Sequence, residues 1–140
     1  MLRNIYNEEH QMFAQSVRDF IAKEITPNNA KWEKAQMVSR ESWLKFGEAG
    51  FLCMQVAEEY GGLGIQDFRY NAIVTEELSK TGAAGPAVGY PLHSDIVTPY
   101  IEHYGNEATK KKYLQKLVTG EWNASIAMTE PGAGSDLQGM

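Results

Sequence analysis

Toward the carboxy-terminal end of this 140-residue chain, Met128 to Asp136 gathers residue types that could do chemistry together. An apolar run delivers the Thr129 hydroxyl at its end, and Pro131 turns the chain out of that run. Gly132 and Gly134 remove side chains on both sides of Ala133, so backbone N–H groups can approach a ligand closely. Neighbouring glycines also tolerate the alternating conformations of an anion-binding nest, and Ser135 adds a hydroxyl donor at the same place. Such a loop suits a cofactor that is flat and polar at one end and carries phosphates at the other. On these residues alone the alternative is an ordinary surface turn. The dinucleotide fingerprint G-x-G-x-x-G is not met, because its third glycine would fall at Leu137 and no helix follows.

Other candidates carry less. Gly61-Gly62-Leu63-Gly64 lacks the strand–loop–helix surroundings of a phosphate loop and reads as a turn. His93 and His103 lie ten apart, which is not metal-ligand spacing on a helix face, and no metal site is expected. Glu130 invites a general-base role, but it stands just before Pro131 and reads as a loop-fixing or surface residue. Cys53 is the one cysteine, so neither an intrachain disulfide nor a thiolate cluster can form, which fits a reducing compartment.

The elements that must position the loop are helical. Phe13, Val17, Phe20 and Ile21 recur at helical spacing, predicting a helix from Asn7, a plausible N-cap, to about Ile25, where Pro27 stops it. Residues 28–38 read as polar and irregular, with a helical turn around Trp32. Ser39 caps a second helix carrying Trp43, Leu44 and Phe46, and Gly50 ends it. Residues 51–56 form a short apolar run that could be extended. A third helix starts at Asp67 and runs to about Lys80; residues 81–92 are rich in small residues and only partly helical by pattern. A helix resumes over residues 94–103, and Asn106 caps a last one that buries Tyr113, Leu114, Leu117 and Val118 and ends at Gly120. Residues 122–129 then read as one strand. A lone strand cannot satisfy its own backbone, so the chain is expected to have been cut from a longer protein. The reading is mainly α: a helical domain over residues 1–120, and over 121–140 the first strand and loop of a truncated β-domain.

Composition is that of a soluble globular protein, with 43% hydrophobic and 22% charged residues. A net charge of −5 offers no footprint for nucleic acid, and Lys110, Lys111 and Lys112 fit a solvated helix face. The longest uncharged stretch, residues 81–94, is too short and too broken by Gly and Pro to span a bilayer. With no leader pattern at the start, a cytoplasmic location is expected, or the mitochondrial matrix if a targeting segment has been removed.

The run Ile126-Ala127-Met128-Thr129-Glu130-Pro131-Gly132-Ala133-Gly134-Ser135-Asp136 resembles the flavin loop of the acyl-CoA dehydrogenase family. Glu59-Tyr60-Gly61-Gly62-Leu63-Gly64, Glu76-Glu77-Leu78 and Lys112-Tyr113-Leu114 through Gly120-Glu121 resemble that family's amino-terminal domain, in the expected order. Trp32-Glu33-Lys34 and Val38-Ser39-Arg40-Glu41 are most similar to the long-chain branch.

The resemblance implies a three-part fold: a helical amino-terminal domain, a middle β-domain and a helical carboxy-terminal domain. This chain would supply the first part and the opening of the second. It implies an FAD-dependent oxidation of acyl-CoA to trans-2-enoyl-CoA. A carboxylate outside this chain would take the α-proton while hydride passes to the flavin, so no catalytic residue is assigned here. Ile126, Ala127, Met128, Thr129, Gly132, Ala133, Gly134 and Ser135 would contact FAD. Ile126 stands where many relatives carry an aromatic, so its contact would be through the backbone. Ser135, with Pro86, Ala87 and Tyr90 of the small-residue stretch, would border the acyl-CoA, unless that stretch serves only close helix packing. The implied partners are an electron-transfer flavoprotein and further copies of the chain, in a tetramer or dimer. Acyl-CoA oxidases and flavin monooxygenases share the fold, and a truncated helical binding module is the reading from a different class.

Overall fold

The computed structural model describes residues 5–140. Helix α1 (Glu8–Phe20) opens on Asn7, whose side chain accepts the His10 N–H at 3.0 Å while the His10 ring meets the Asn7 amide. Glu8 and Glu9 occupy the first turn, where the helix dipole favours negative charge. The expected stop at Pro27 is not there. The chain passes through a π-turn (Ile21–Ile25) and a 3-10 turn (Thr26–Asn28) into α2 (Asn29–Ala35). Pro27 sits in the first positions of the 3-10 turn, where a missing N–H costs nothing, so it bends the path without ending it. Helix α2 replaces the expected irregular segment because Trp32, 6% exposed, buries one face of it.

Helix α3 (Arg40–Glu48) starts at the predicted Ser39 cap, which accepts the Ser42 N–H at 3.4 Å. The apolar run 51–56 is not a strand but a series of tight turns. Leu52, Cys53, Met54 and Val56 are all buried, so the run has no solvent face to alternate with. Cys53 adopts a left-handed backbone (φ 50°), and its N–H donates to Ser94 Oγ at 3.1 Å rather than to a neighbouring strand. Helix α4 (Arg69–Ser79) begins two residues beyond Asp67, whose carboxylate accepts the Arg69 N–H at 3.0 Å. Helix α5 (Ala84–Pro91) continues through a second π-turn (Leu92–Val97) into α6 (Thr98–Tyr104), so the small-residue stretch is helical for most of its length. Asn106 caps α7 (Glu107–Val118) as the sequence predicts.

The helices close around an aromatic centre. The Phe46 ring of α3, wholly buried, stacks on Tyr90 of α5 at 4.0 Å and meets Phe20 of α1 edge-on at 5.0 Å. Phe51 reaches both Phe20 and Phe46. Edge-to-face and offset contacts of this kind add to the apolar area they remove from water.

The fold is mainly α, as read from the sequence, but the expected strand forms no sheet. Residues 123–129 adopt no regular structure, and the described residues contain no ladder, only one antiparallel bridge between Glu130 and Ala133. A single extended run has no second strand here to pair with. Truncating the central ring, Phe46→Ala, is expected to cost about 3–5 kcal/mol, read from urea unfolding followed by circular dichroism. A loss below about 1 kcal/mol would show that Phe46 does not hold the helices together.

Candidate functional site

The residues singled out for a cofactor stand on a turn at the end of a tail, and the helical body fixes where that tail begins. Gly120 ends α7 with a left-handed backbone (φ 70°), and a Cβ there would lie 2.2 Å from the carbonyl oxygen of Trp43 in α3. Gly47 of α3 is under the same constraint from the other side: a Cβ there would lie 2.4 Å from the Thr119 carbonyl group. The two helices therefore touch through bare main chain, which only glycine allows. Beyond them the Trp122 N–H donates to the Lys116 carbonyl at 2.9 Å, and Lys116 Nζ lies 4.6 Å over the Trp122 ring. Arg40 donates to the Asn123 side chain at 2.9 Å.

His93, wholly buried in the π-turn, makes the next tie. Its Nε2 lies 3.0 Å from the Leu117 carbonyl, and its Nδ1 accepts the Ala124 N–H at 3.1 Å. The sequence weighed this histidine only as a metal ligand. Its spacing carries no sign of the role found, although Gly120 at the end of a helix does signal a close turn. Among the described residues no group of three His, Cys, Asp or Glu side chains is placed to hold a metal ion.

From Ala124 the chain leaves the body. Ile126 is half-buried, Ala127, Met128 and Thr129 are exposed, and residues 130–133 fold into a tight turn. The Glu130 N–H donates to the Ala133 carbonyl at 2.9 Å and the Ala133 N–H returns to Glu130 at 3.1 Å. Pro131 and Gly132 occupy the corner. Asp136 caps a short 3-10 turn (Leu137–Gly139) that packs back on the loop, leaving the Ala133 methyl 3% exposed.

Two expectations change. Ala133 spends its main-chain groups on Glu130 and its methyl on the interior of the turn, so it shapes the loop and has no free amide for a ligand. The nest geometry is absent: neither Gly132 nor Gly134 is among the glycines with positive φ. Both glycines nevertheless face open space, since a Cβ at either would meet no atom within 4 Å. The amides of Gly132, Gly134 and Ser135 find no acceptor among the described residues. The turn thus offers unpaired N–H donors beside positions with no side chain, together with the Thr129 and Ser135 hydroxyls.

Of the residues expected to border an acyl chain, Pro86, Ala87 and Tyr90 share α5, while Ser135 stands on the tail. Pro86 borders an open groove of about 200 Å³ between α2 and α5, shared with Trp32 and Val38. Tyr90 is 1% exposed, with its ring in the aromatic centre and its hydroxyl 2.6 Å from Ser42 Oγ; burial pushes its pKa up to about 12. It is a core residue, because stacking and that hydrogen bond satisfy both its apolar and polar parts. Ala87 is half-buried against the core, and a Cβ at Gly89 would lie 3.6 Å from the Trp43 ring, so part of the small-residue stretch serves close helix packing. A larger groove, about 550 Å³, opens between α6, α7 and the tail, lined in part by Ile101, Tyr113, Trp122 and Ala124.

Burial holds the pKa of His93 below its ordinary 6.5, so the folded form resists a proton that the unfolded chain accepts. The stability this confers is complete above about pH 6.5 and is lost as the pH falls through the lowered folded value. Urea midpoints at pH 7 and pH 5 should therefore drop further for the wild type than for His93→Gln. Parallel drops would contradict this.

The family description "Acyl-CoA dehydrogenase, N-terminal domain" matches residues 7–121. The chain is 48% identical over 139 residues to the long-chain specific acyl-CoA dehydrogenase of Sus scrofa mitochondria, covering 99% of this chain and 32% of that protein. It superimposes on the crystal structure of acyl-CoA dehydrogenase from Geobacillus kaustophilus with a TM-score of 0.90 and 51% identity, over 97% of this chain and 35% of that one. The Bacillus anthracis acyl-CoA dehydrogenase complexed with FAD aligns with a TM-score of 0.87 and 38% identity, over 100% of this chain and 24% of that one. The chain spans about a third of the length of the curated relatives it matches. The chain belongs to the acyl-CoA dehydrogenase family, and residues 7–121 match its amino-terminal domain.

Proposed function

We propose that this chain supplies the helical domain and the flavin loop of an FAD-dependent acyl-CoA dehydrogenase acting on long-chain acyl-CoA, whose remaining parts lie outside residues 1–140. The observation that carries the reading is the state of Gly132 and Gly134. The chain's own packing leaves both positions open, and their backbone is not left-handed. Neither internal reason for a glycine applies, which supports a reading in which a ligand approaches the bare main chain from outside.

The donors present fit FAD. The free amides of Gly132, Gly134 and Ser135 suit its phosphates, and the Thr129 hydroxyl with the main chain from Ile126 to Met128 suits the polar edge of its ring system. The Ser135 hydroxyl would also lie close to the acyl-CoA. Bound there, FAD would supply the acceptor for hydride from the β-carbon of the acyl chain. The chain's part is to orient that ring, to exclude water from one side of it and to hold its phosphates. The base that would take the α-proton is assigned to a part outside these residues; Glu130 pairs with Ala133 through its main chain alone, and its exposed carboxylate stands at the corner beside Pro131. Pro86 and Ala87 keep a place at the edge of the acyl site.

Electrons would pass on to an electron-transfer flavoprotein, and the complete protein would assemble as a tetramer or dimer. The long-chain preference rests on mitochondrial long-chain relatives at 45–48% identity, and with it a mitochondrial matrix or cytoplasmic setting. No described helix is long and apolar enough to cross a membrane.

Residues 1–140 grafted in place of the matching part of the Geobacillus kaustophilus relative should give a yellow protein. Its flavin absorbance should bleach when palmitoyl-CoA is added without oxygen. A folded but colourless chimera would contradict the reading and favour a helical binding module; a yellow one that acyl-CoA does not bleach would remove the dehydrogenase assignment.

A further inference from the structure

We propose that His93 is a positioning residue for the flavin loop: as a neutral imidazole protonated on Nε2, it clamps the main chain at Ala124 to the last turn of α7 and so sets where the loop stands. The inference rests on the reading of residues 126–135 as a flavin loop.

The hydrogen-bond partners determine the protonation state. A carbonyl oxygen only accepts, so the Nε2 facing Leu117 at 3.0 Å carries hydrogen. A backbone N–H only donates, so the Nδ1 facing Ala124 at 3.1 Å is bare. One tautomer meets both demands, and a doubly protonated ring would set N–H against N–H.

The ring is also held from behind. His93 is wholly buried and meets Trp43 edge-on at 5.2 Å. Its own carbonyl is taken twice, by the Thr98 amide through the π-turn and by Thr98 Oγ1 at 2.7 Å. A π-turn inserts a residue into a helix and swings side chains off its regular faces, a device common at functional sites. Here it turns Ser94 toward Cys53 and His93 toward the tail.

The position gives the clamp its leverage. Ala124 is the last point before the loop at which the tail hydrogen-bonds to the helical body among the described residues; the next pairing, between Glu130 and Ala133, is within the loop. An untethered extended chain advances about 3.3 Å per residue. With Ala124 released, the last tie would fall back to the exposed pair of Arg40 and Asn123, and no buried hydrogen bond would set the direction in which residues 125–129 leave the body.

The test compares His93→Phe, which keeps a ring but neither polar role, with His93→Gln, whose amide can donate to Leu117 and accept from Ala124. In the 140-residue chain, hydrogen exchange at the Ala124 amide should rise at least tenfold in the Phe variant and stay near wild type in the Gln variant, with residues 13–21 protected in both. Unchanged protection of Ala124 in the Phe variant would overturn the clamp. In the FAD-binding chimera the Phe variant should weaken flavin binding at least tenfold and the Gln variant should restore it. Faster exchange without that loss would overturn the link to the flavin. A wild-type chimera that takes up no flavin would instead remove the loop assignment, while the exchange result still decides the clamp. Should the Phe variant not fold, Ala124→Pro deletes the donated N–H from outside the core. It should weaken flavin binding as strongly, and full affinity in that variant would overturn the proposal.

Discussion

The close approach of α3 and α7 governs where everything beyond residue 120 can go. Gly47 and Gly120 let the two backbones meet at distances no Cβ would permit, and that contact fixes the point at which the chain leaves the helical body. A side chain at either position would push α7 outward and carry the tail with it. Three further ties hold the chain just beyond it: Lys116 over Trp122, Arg40 of α3 on Asn123, and His93 on Ala124.

The same region shows how an apolar interior accommodates polar groups. Tyr90, Ser42, His93, Ser94 and Thr98 are buried, yet each finds a partner: Tyr90 on Ser42, His93 between Leu117 and Ala124, Ser94 on Cys53, Thr98 on the His93 carbonyl. Burial disfavours the charged form of each titratable member, raising the Cys53 thiol to about 12 and lowering the His93 imidazole. The cluster is therefore neutral at physiological pH, and its hydrogen bonds specify which segments meet where apolar packing alone would allow several arrangements.

Much of this was legible in the sequence, and the gaps have physical causes. The caps at Asn7, Ser39 and Asn106 were readable because capping is a local matter between a side chain and amides two or three residues on. Pro27 misled because proline ends a helix only when the missing N–H lies inside it, and a switch of helix type at Ile21–Ile25 leaves no periodic trace. The run from Phe51 to Val56 looked like a strand because burial on all sides removes the alternation that separates strand from buried turn. Tyr90 reads from the sequence as a residue bordering the acyl-CoA because its neighbours are small; only the fold shows its ring filling the centre beside Phe46. The glycine turn was legible as a candidate from composition, whereas the histidine that tethers it is tied through space to residues 24 and 31 positions away.

What remains is why two glycines stand where neither the chain's packing nor its backbone geometry asks for them. The function proposed above places an FAD against the bare main chain there. The most direct measurement is the flavin dissociation constant of the chimera carrying Gly134→Val, at a position where an added Cβ meets no atom of this chain within 4 Å. The account predicts affinity at least tenfold weaker, roughly 1.4 kcal/mol or more, with thermal stability of the apoprotein unchanged. Equal affinity in the valine variant would contradict it.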